Sequence, residues 1–158
     1  MKKSKGTRAT AFLKRKGISF EIIQYDHQEK GAVFAASATG IPLPQTIKTL
    51  VTHLDGNRFA LALMPGDREL SLKHLARAFS VKRAVMADTA TAERLTGYRV
   101  GGISPFGVQK NLPVVMEERL VAYDFVVINA GQRGVMLRMN PKDIAEVLDC
   151  RLLSLVQE

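Results

Sequence analysis

Apolar and polar residues alternate most clearly over residues 46–54, where period two sets Ile47 and Val51 on one face and Leu50 and Leu54 on the other. A second apolar run, residues 57–64, follows directly after Asp55-Gly56, a favoured hairpin turn. The two runs therefore predict an antiparallel pair. Residues 18–25 set Ile18, Phe20 and Ile22 against Ser19, Glu21 and Ile23, the pattern of a half-buried strand. Further strands are predicted over 81–87, 112–116, 123–129 and 134–139. The last two are joined by Ala-Gly-Gln-Arg-Gly.

Between the strands lie short helices with legible ends. Thr7 caps a helix that runs to Lys16 with Ala9, Phe12 and Leu13 on one side, and Gly17 stops it. Residues 32–39 form a second, ended by Gly40, and Pro42 and Pro44 mark a turn. Ser71 caps a helix carrying Leu72, Leu75, Ala76 and Phe79, and Asp88 caps one that runs to Leu95. Asn140-Pro141-Lys142-Asp143 opens the last, with Ile144, Val147 and Leu148 as its stripe. Hairpins and short helices without regular βαβ alternation predict an α+β fold. Its centre is a mixed, mostly antiparallel, barrel-like sheet surrounded by short helices. No linker or repeat divides the chain, so residues 1–158 read as a single domain.

The 46% hydrophobic content supports a core, and the net charge of +8 adds the first hint of a partner. Lys2, Lys3, Lys5, Arg8, Lys14, Arg15 and Lys16 crowd the first helix, and Lys73, Arg77, Lys82 and Arg83 form a second group. Such a field favours polyanions, nucleic acid among them. Trp is absent and aromatics are few, so phosphates rather than stacked bases would carry the affinity. Cys150 is the only cysteine, which excludes a disulfide framework and points to a reducing, cytoplasmic compartment. No segment has the apolar length of a membrane span, and the basic N-terminus lacks the apolar stretch of a secretory signal.

Two features stand out as chemistry. Lys48 interrupts an apolar strand, where an ammonium must either snorkel to water or face a functional cavity; Thr49 beside it offers a hydroxyl. Residues 97–107 carry Gly97, Gly101, Gly102 and Gly107 with Pro105, a segment suited to bringing main-chain N–H groups close to a ligand. The segment lacks the Walker spacing and neither follows a strand nor opens a helix as a dinucleotide fingerprint would. Amides aimed at a carbonyl or ester oxyanion fit it better. His27, His53 and His74 lack ligand spacing, no Gly-x-Ser-x-Gly elbow occurs, and Asp26, Glu69, Asp88 and Asp124 form no evident pair. Tyr25-Asp26-His27, at the end of a predicted strand, could line a pocket.

Ile47-Lys48-Thr49-Leu50 after a Pro-containing turn, followed by Gly97-Tyr98 and Gly101-Gly102-Ile103-Ser104-Pro105-Phe106-Gly107, resembles the YbaK/EbsC family, related to the editing domain of bacterial prolyl-tRNA synthetases. The resemblance covers nearly the whole chain. It implies a free-standing trans-editing deacylase that removes a wrong amino acid from tRNA(Pro), Cys-tRNA(Pro) preferred, with Ala, Ser or 2-aminobutyrate as alternatives. It also implies that Lys48, Gly101 and Pro105 carry the reaction. Tyr25, Thr49, Gly102, Ile103, Ser104, Asn129 and Met136 would line the pocket. No metal or cofactor is implied, and no enzyme nucleophile: the cysteine thiol of the substrate attacks its own carbonyl, or water does so aided by a tRNA hydroxyl. Mischarged tRNA(Pro) is the implied partner, with prolyl-tRNA synthetase as a docking partner. The family pattern has Ser and an acid where this chain has Asn129 and Met136, which bears on the choice of amino acid. Two other readings stand beside it: a non-catalytic tRNA-binding or synthetase-docking module, and a binder of free nucleotides.

Overall fold

The computed structural model describes residues 6–26 and 32–158, so Lys2, Lys3, Lys5 and His27 lie outside the described residues. Helix α1 (Arg8–Arg15) starts where its sequence asks it to. The Thr7 hydroxyl oxygen accepts from Thr10 N–H at 3.1 Å, and the Thr10 hydroxyl oxygen accepts from Thr7 N–H at 2.8 Å. The Thr7 hydroxyl also donates to the Ala130 carbonyl at 2.6 Å, so the cap fastens the helix to the sheet. The other expected caps form too. Ser71 opens α3 (Leu72–Ala78), Asp88 opens α4 (Thr89–Thr96), and Asn140 opens α5 (Pro141–Val147). Helix α2 spans Ala32–Thr39.

Among the described residues eight strands form one mixed sheet. They are β1 (Glu21–Gln24), β2 (Thr46–His53), β3 (Phe59–Pro65), β4 (Val85–Met86), β5 (Val114–Glu117), β6 (Val126–Gln132), β7 (Val135–Met139) and β8 (Arg151–Leu153). The order is β1-β7-β6-β2-β3-β5-β8, with β4 added to β2. Ladders β1/β7, β6/β7, β2/β3 and β2/β4 are antiparallel, whereas β2/β6, β3/β5 and β5/β8 are parallel. The ladder leaves β1 and β8 at its two ends.

Alternation along the β2/β3 hairpin divides the core between the two faces of the sheet. Ile47, Val51, Leu61 and Leu63 pack with Ala9, Leu13, Leu95 and Ile144 on one side. Leu54, Ala60, Ala62 and Met64 pack with Leu75, Ala76 and Leu155 on the other. Several predicted boundaries move. The strand expected over 18–25 pairs only over Glu21–Gln24, because Ile18 and Phe20 pack against the core without a neighbouring strand. The one expected over 81–87 shrinks to Val85–Met86, since Val81 N–H is taken by the Ala76 carbonyl at the end of α3. The Asp55-Gly56 turn is wider than two residues: Leu54 N–H donates to Arg58 O, and Arg58 N–H to Asp55 O. Ala130 to Gln132, read as turn, continue β6 through a bulge. Strand β8 had no sequence signal, being three residues long and placed by its parallel pairing with β5.

The glycine segment is pinned from within by its most deeply buried apolar side chain. Phe106 is fully buried, and its ring stacks on Phe12 of α1 with centroids 6.1 Å apart. Replacing Phe106→Ala is expected to cost about 3–5 kcal/mol, read as a lowered urea midpoint with an unchanged slope.

Candidate functional site

The outer edge of β2 is paired at both ends and open in between. Gly66 N–H donates to Thr46 O, and Leu54 N–H to Arg58 O, so the even-numbered residues of β2 turn their main-chain groups toward β3. The odd-numbered residues face the opposite edge, where Val51 O accepts from Ala87 N–H. On that edge the ladder with β6 covers only Thr46 and Ile47, and the ladder with β4 only Thr52 and His53. Thr49 is the odd residue between them, so its N–H and C=O point into the gap. Its hydroxyl Oγ1 is buried and, among the described residues, has no hydrogen-bond partner. A buried unpaired hydroxyl is costly.

Lys48 stands beside this gap. Its side chain is 23% exposed, and Nζ lies 3.8 Å from Oε1 of Glu69, a carboxylate that is 84% exposed. An exposed partner at that distance holds the ammonium weakly and leaves it available to a ligand.

The glycine segment is held by three attachments from outside it, from Asn129, Glu93 and Arg8, and by one within it, from Tyr98. Asn129 Nδ2 donates to Gly101 O at 3.3 Å, while its Oδ1 accepts from Gly131 N–H at 2.8 Å and Gln132 N–H at 3.2 Å. Glu93 Oε2 accepts from Val100 N–H at 2.8 Å. The Tyr98 hydroxyl donates to Phe106 O, and burial pushes its pKa up to about 12 despite the nearby Arg8, so it stays a donor. Arg8 lies over the Tyr98 ring and donates to Thr96 O and Gly107 O.

Together these elements enclose a cavity of about 170 Å³. Of the residues expected from the sequence, Tyr25, Lys48, Thr49, Gly101, Ile103, Asn129 and Met136 line it. Asn129 and Met136 sit opposite each other in the β6/β7 ladder, which is why they arrive as a pair. Three expected residues do not line it. Gly102 packs against the β6/β7 turn, where an added Cβ would meet Arg133 N at 3.0 Å. Ser104 is fully buried, its Oγ accepting from Phe106 N–H at 3.3 Å. Pro105 borders a separate cleft with Arg8 and Phe12. The segment turns at residues 99–102, where Gly102 N–H donates to Arg99 O at 2.9 Å, and then carries Ser104 into the interior and Pro105 to the other cleft, so residues 101–105 do not all reach one cavity.

The cavity also takes Ala32 and Ala35 from α2, together with Thr46, Ile47 and Val100, which sequence reasoning missed. Small residues on a helix face leave no chemical signature. Burial raises the Tyr25 phenol pKa, opposed by its bond to Gly134 and by the Arg133 guanidinium. Cys150 lies outside the lining, and burial pushes its thiol up to about 12, which suppresses the thiolate. Among the described residues the lining holds no carboxylate and no imidazole.

The sequence matches the family model of the aminoacyl-tRNA editing domain over residues 27–147. It is 35% identical over 119 residues to EbsC of Enterococcus faecalis, assigned as a Cys-tRNA(Pro)/Cys-tRNA(Cys) deacylase, with 75% of this chain and 71% of that one covered. It is 28% identical to the multifunctional Ser/Thr-tRNA deacylase ProXp-y of Escherichia coli, covering 93% and 90%. A solved structure assigned as a trans-editing enzyme for prolyl-tRNA synthetase has the same fold, with a TM-score of 0.88 at 24% identity over 96% of each chain.

Because the Thr49 hydroxyl is buried and unpaired among the described residues, removing it relieves the free protein. Thr49→Val is expected to leave thermal stability unchanged or raise it by up to about 1 kcal/mol, while ligand-dependent activity falls. A clear loss of stability in thermal denaturation would mean that the hydroxyl is already satisfied within the fold.

Proposed function

The chain belongs to the aminoacyl-tRNA editing domain family, and from that premise we propose that it is a trans-editing deacylase that clears a small, wrongly attached amino acid from tRNA(Pro). The observation that carries the reading is the convergence of Lys48, Thr49 and the glycine segment on one small cavity. An aminoacyl ester is already activated. Holding its carbonyl and stabilising the developing oxyanion can therefore supply much of the acceleration. Main-chain N–H groups beside Thr49 and Gly101 are suited to that oxygen, and the Lys48 ammonium adds charge to the same place or orients the substrate's phosphate. Water adds to the carbonyl carbon, the bond to the ribose oxygen breaks, and that oxygen leaves with a proton.

The walls speak to the amino acid. Met136, Ile103, Ala32 and Ala35 form an apolar lining that suits a short side chain such as that of Cys, Ala or 2-aminobutyrate. The Asn129 carbonyl oxygen already accepts two N–H groups and is poorly placed to take a side-chain hydroxyl as well. That argues for Cys ahead of Ser and Thr. The same reading places the chain in the cytoplasm with the translation machinery, and prolyl-tRNA synthetase is the natural docking partner.

Deacylation of tRNA(Pro) charged in turn with Cys, Ala, 2-aminobutyrate, Ser and Thr tests the reading. Cys is expected to turn over fastest. Lys48→Ala is expected to slow every active substrate by about 100-fold or more while the far-UV spectrum stays unchanged. Binding of tRNA with no turnover on any member of the panel would replace the enzyme with a non-catalytic tRNA-binding module.

A further inference from the structure

A second concavity adjoins the acyl cavity on the other side of the glycine segment. Its volume is about 480 Å³, and it is walled by Arg99 and Gly102 from the segment and by Gly131 and Arg133 from the β6/β7 turn. Val100 borders both spaces, while Gly101 faces the first and Gly102 the second. The glycine segment is thus a thin partition between them. The segment packs closely against the β6/β7 turn: a Cβ on Gly102 would meet Arg133 N at 3.0 Å, and one on Gly131 would meet Tyr98 Cε1 at 2.5 Å.

Size decides how a substrate must lie. Sites that enclose a drug-sized ligand run to roughly 300–1,000 Å³. The acyl cavity, at about 170 Å³, has room for an aminoacyl group but not for the nucleotide that carries it. The rest of the strand has a route out across Val100, which borders both spaces. There it meets Arg99 and Arg133, both exposed and neither in an ion pair with another described residue. The nearby carboxylate of Glu93 accepts from Val100 N–H, and Arg8 is engaged with Thr96, Gly107 and the Tyr98 ring. Tyr98, the aromatic residue bordering this space, is buried and offers no open face for stacking a base.

We propose that the Arg99–Arg133 cleft binds the phosphodiester of the RNA 3′ strand as it leaves the acyl cavity. The proposal rests on the deacylase reading above and adds a subsite to it. Two exposed guanidinium forks bordering one cleft suit a phosphate and read no base, so the contact is independent of tRNA sequence.

Deacylation kinetics of Arg99→Ala and Arg133→Ala on aminoacyl-tRNA and on the matching aminoacyl-adenosine, which has no phosphate, separate the contributions. Each variant is expected to raise KM for aminoacyl-tRNA by about tenfold with kcat within about twofold, and to leave the nucleoside ester unaffected. Arg→Lys at either position should restore part of the loss. Equal losses on both substrates, or none on tRNA, would overturn the proposal.

A second measurement does not need turnover. Fluorescence anisotropy with an uncharged RNA hairpin bearing a single-stranded 3′ end should show weaker binding for each Ala variant. The slope of log K against log salt should be shallower by about one per arginine. Variants that bind this RNA like the parent would refute the subsite even if the chain proves inactive as a deacylase. Binding of AMP undiminished by added RNA would reassign the cleft to a free nucleotide.

Discussion

The structure turns on a gap in one strand edge. Strand β2 is zipped to β3 along its whole length on one side, which makes it rigid. On the other side it is held by β6 at its start and β4 at its end, and released between. An open edge within a sheet normally invites another strand. Here the opening is roofed by α2 and by the glycine segment, so the free main-chain groups of Thr49 face a small cavity instead of solvent. Lys48 gains its position from the same arrangement, because period two puts it next to the opening but on the other face of the strand.

A cavity built from main-chain amides needs its walls held still. Beyond the packing of Tyr98 and Phe106 in the core, the glycine segment is fixed by polar attachments that reach it from elsewhere in the chain. Asn129 spends its amide nitrogen on Gly101 and its oxygen on the β6/β7 bulge, which ties the segment to the sheet. Tyr98 and Phe106 fasten the segment to itself, and Arg8 laces it to the first helix. The basic charge of α1 is therefore partly structural: Arg8, read from sequence as one of a row of cations, braces a loop.

Much of this was legible locally. Thr7, Ser71, Asp88 and Asn140 each cap the helix they were read to cap, because a cap needs only its next three residues. The β2/β3 hairpin followed from alternation and a Gly-containing turn for the same reason. What depends on distant partners was not legible. The opening in β2 exists because β6 and β4 stop where they do, and nothing in residues 46–53 records it. The same holds for the facing of Ser104 and Pro105, which sit in one motif with Gly101 but turn toward the interior and a separate cleft. Composition predicted a polyanion partner but not where on the surface its phosphates would lie.

On this reading a substrate carbonyl docks in the gap between Thr49 and Gly101. A crystal structure with a non-hydrolysable aminoacyl-adenosine analogue, its ester replaced by an amide, tests it directly. The acyl oxygen is expected within about 3 Å of a main-chain N–H from the Thr49 edge or the glycine segment, with the Lys48 ammonium alongside. An analogue seated instead in the cleft between Arg8, Phe12 and Pro105, with the β2 opening empty, would contradict it.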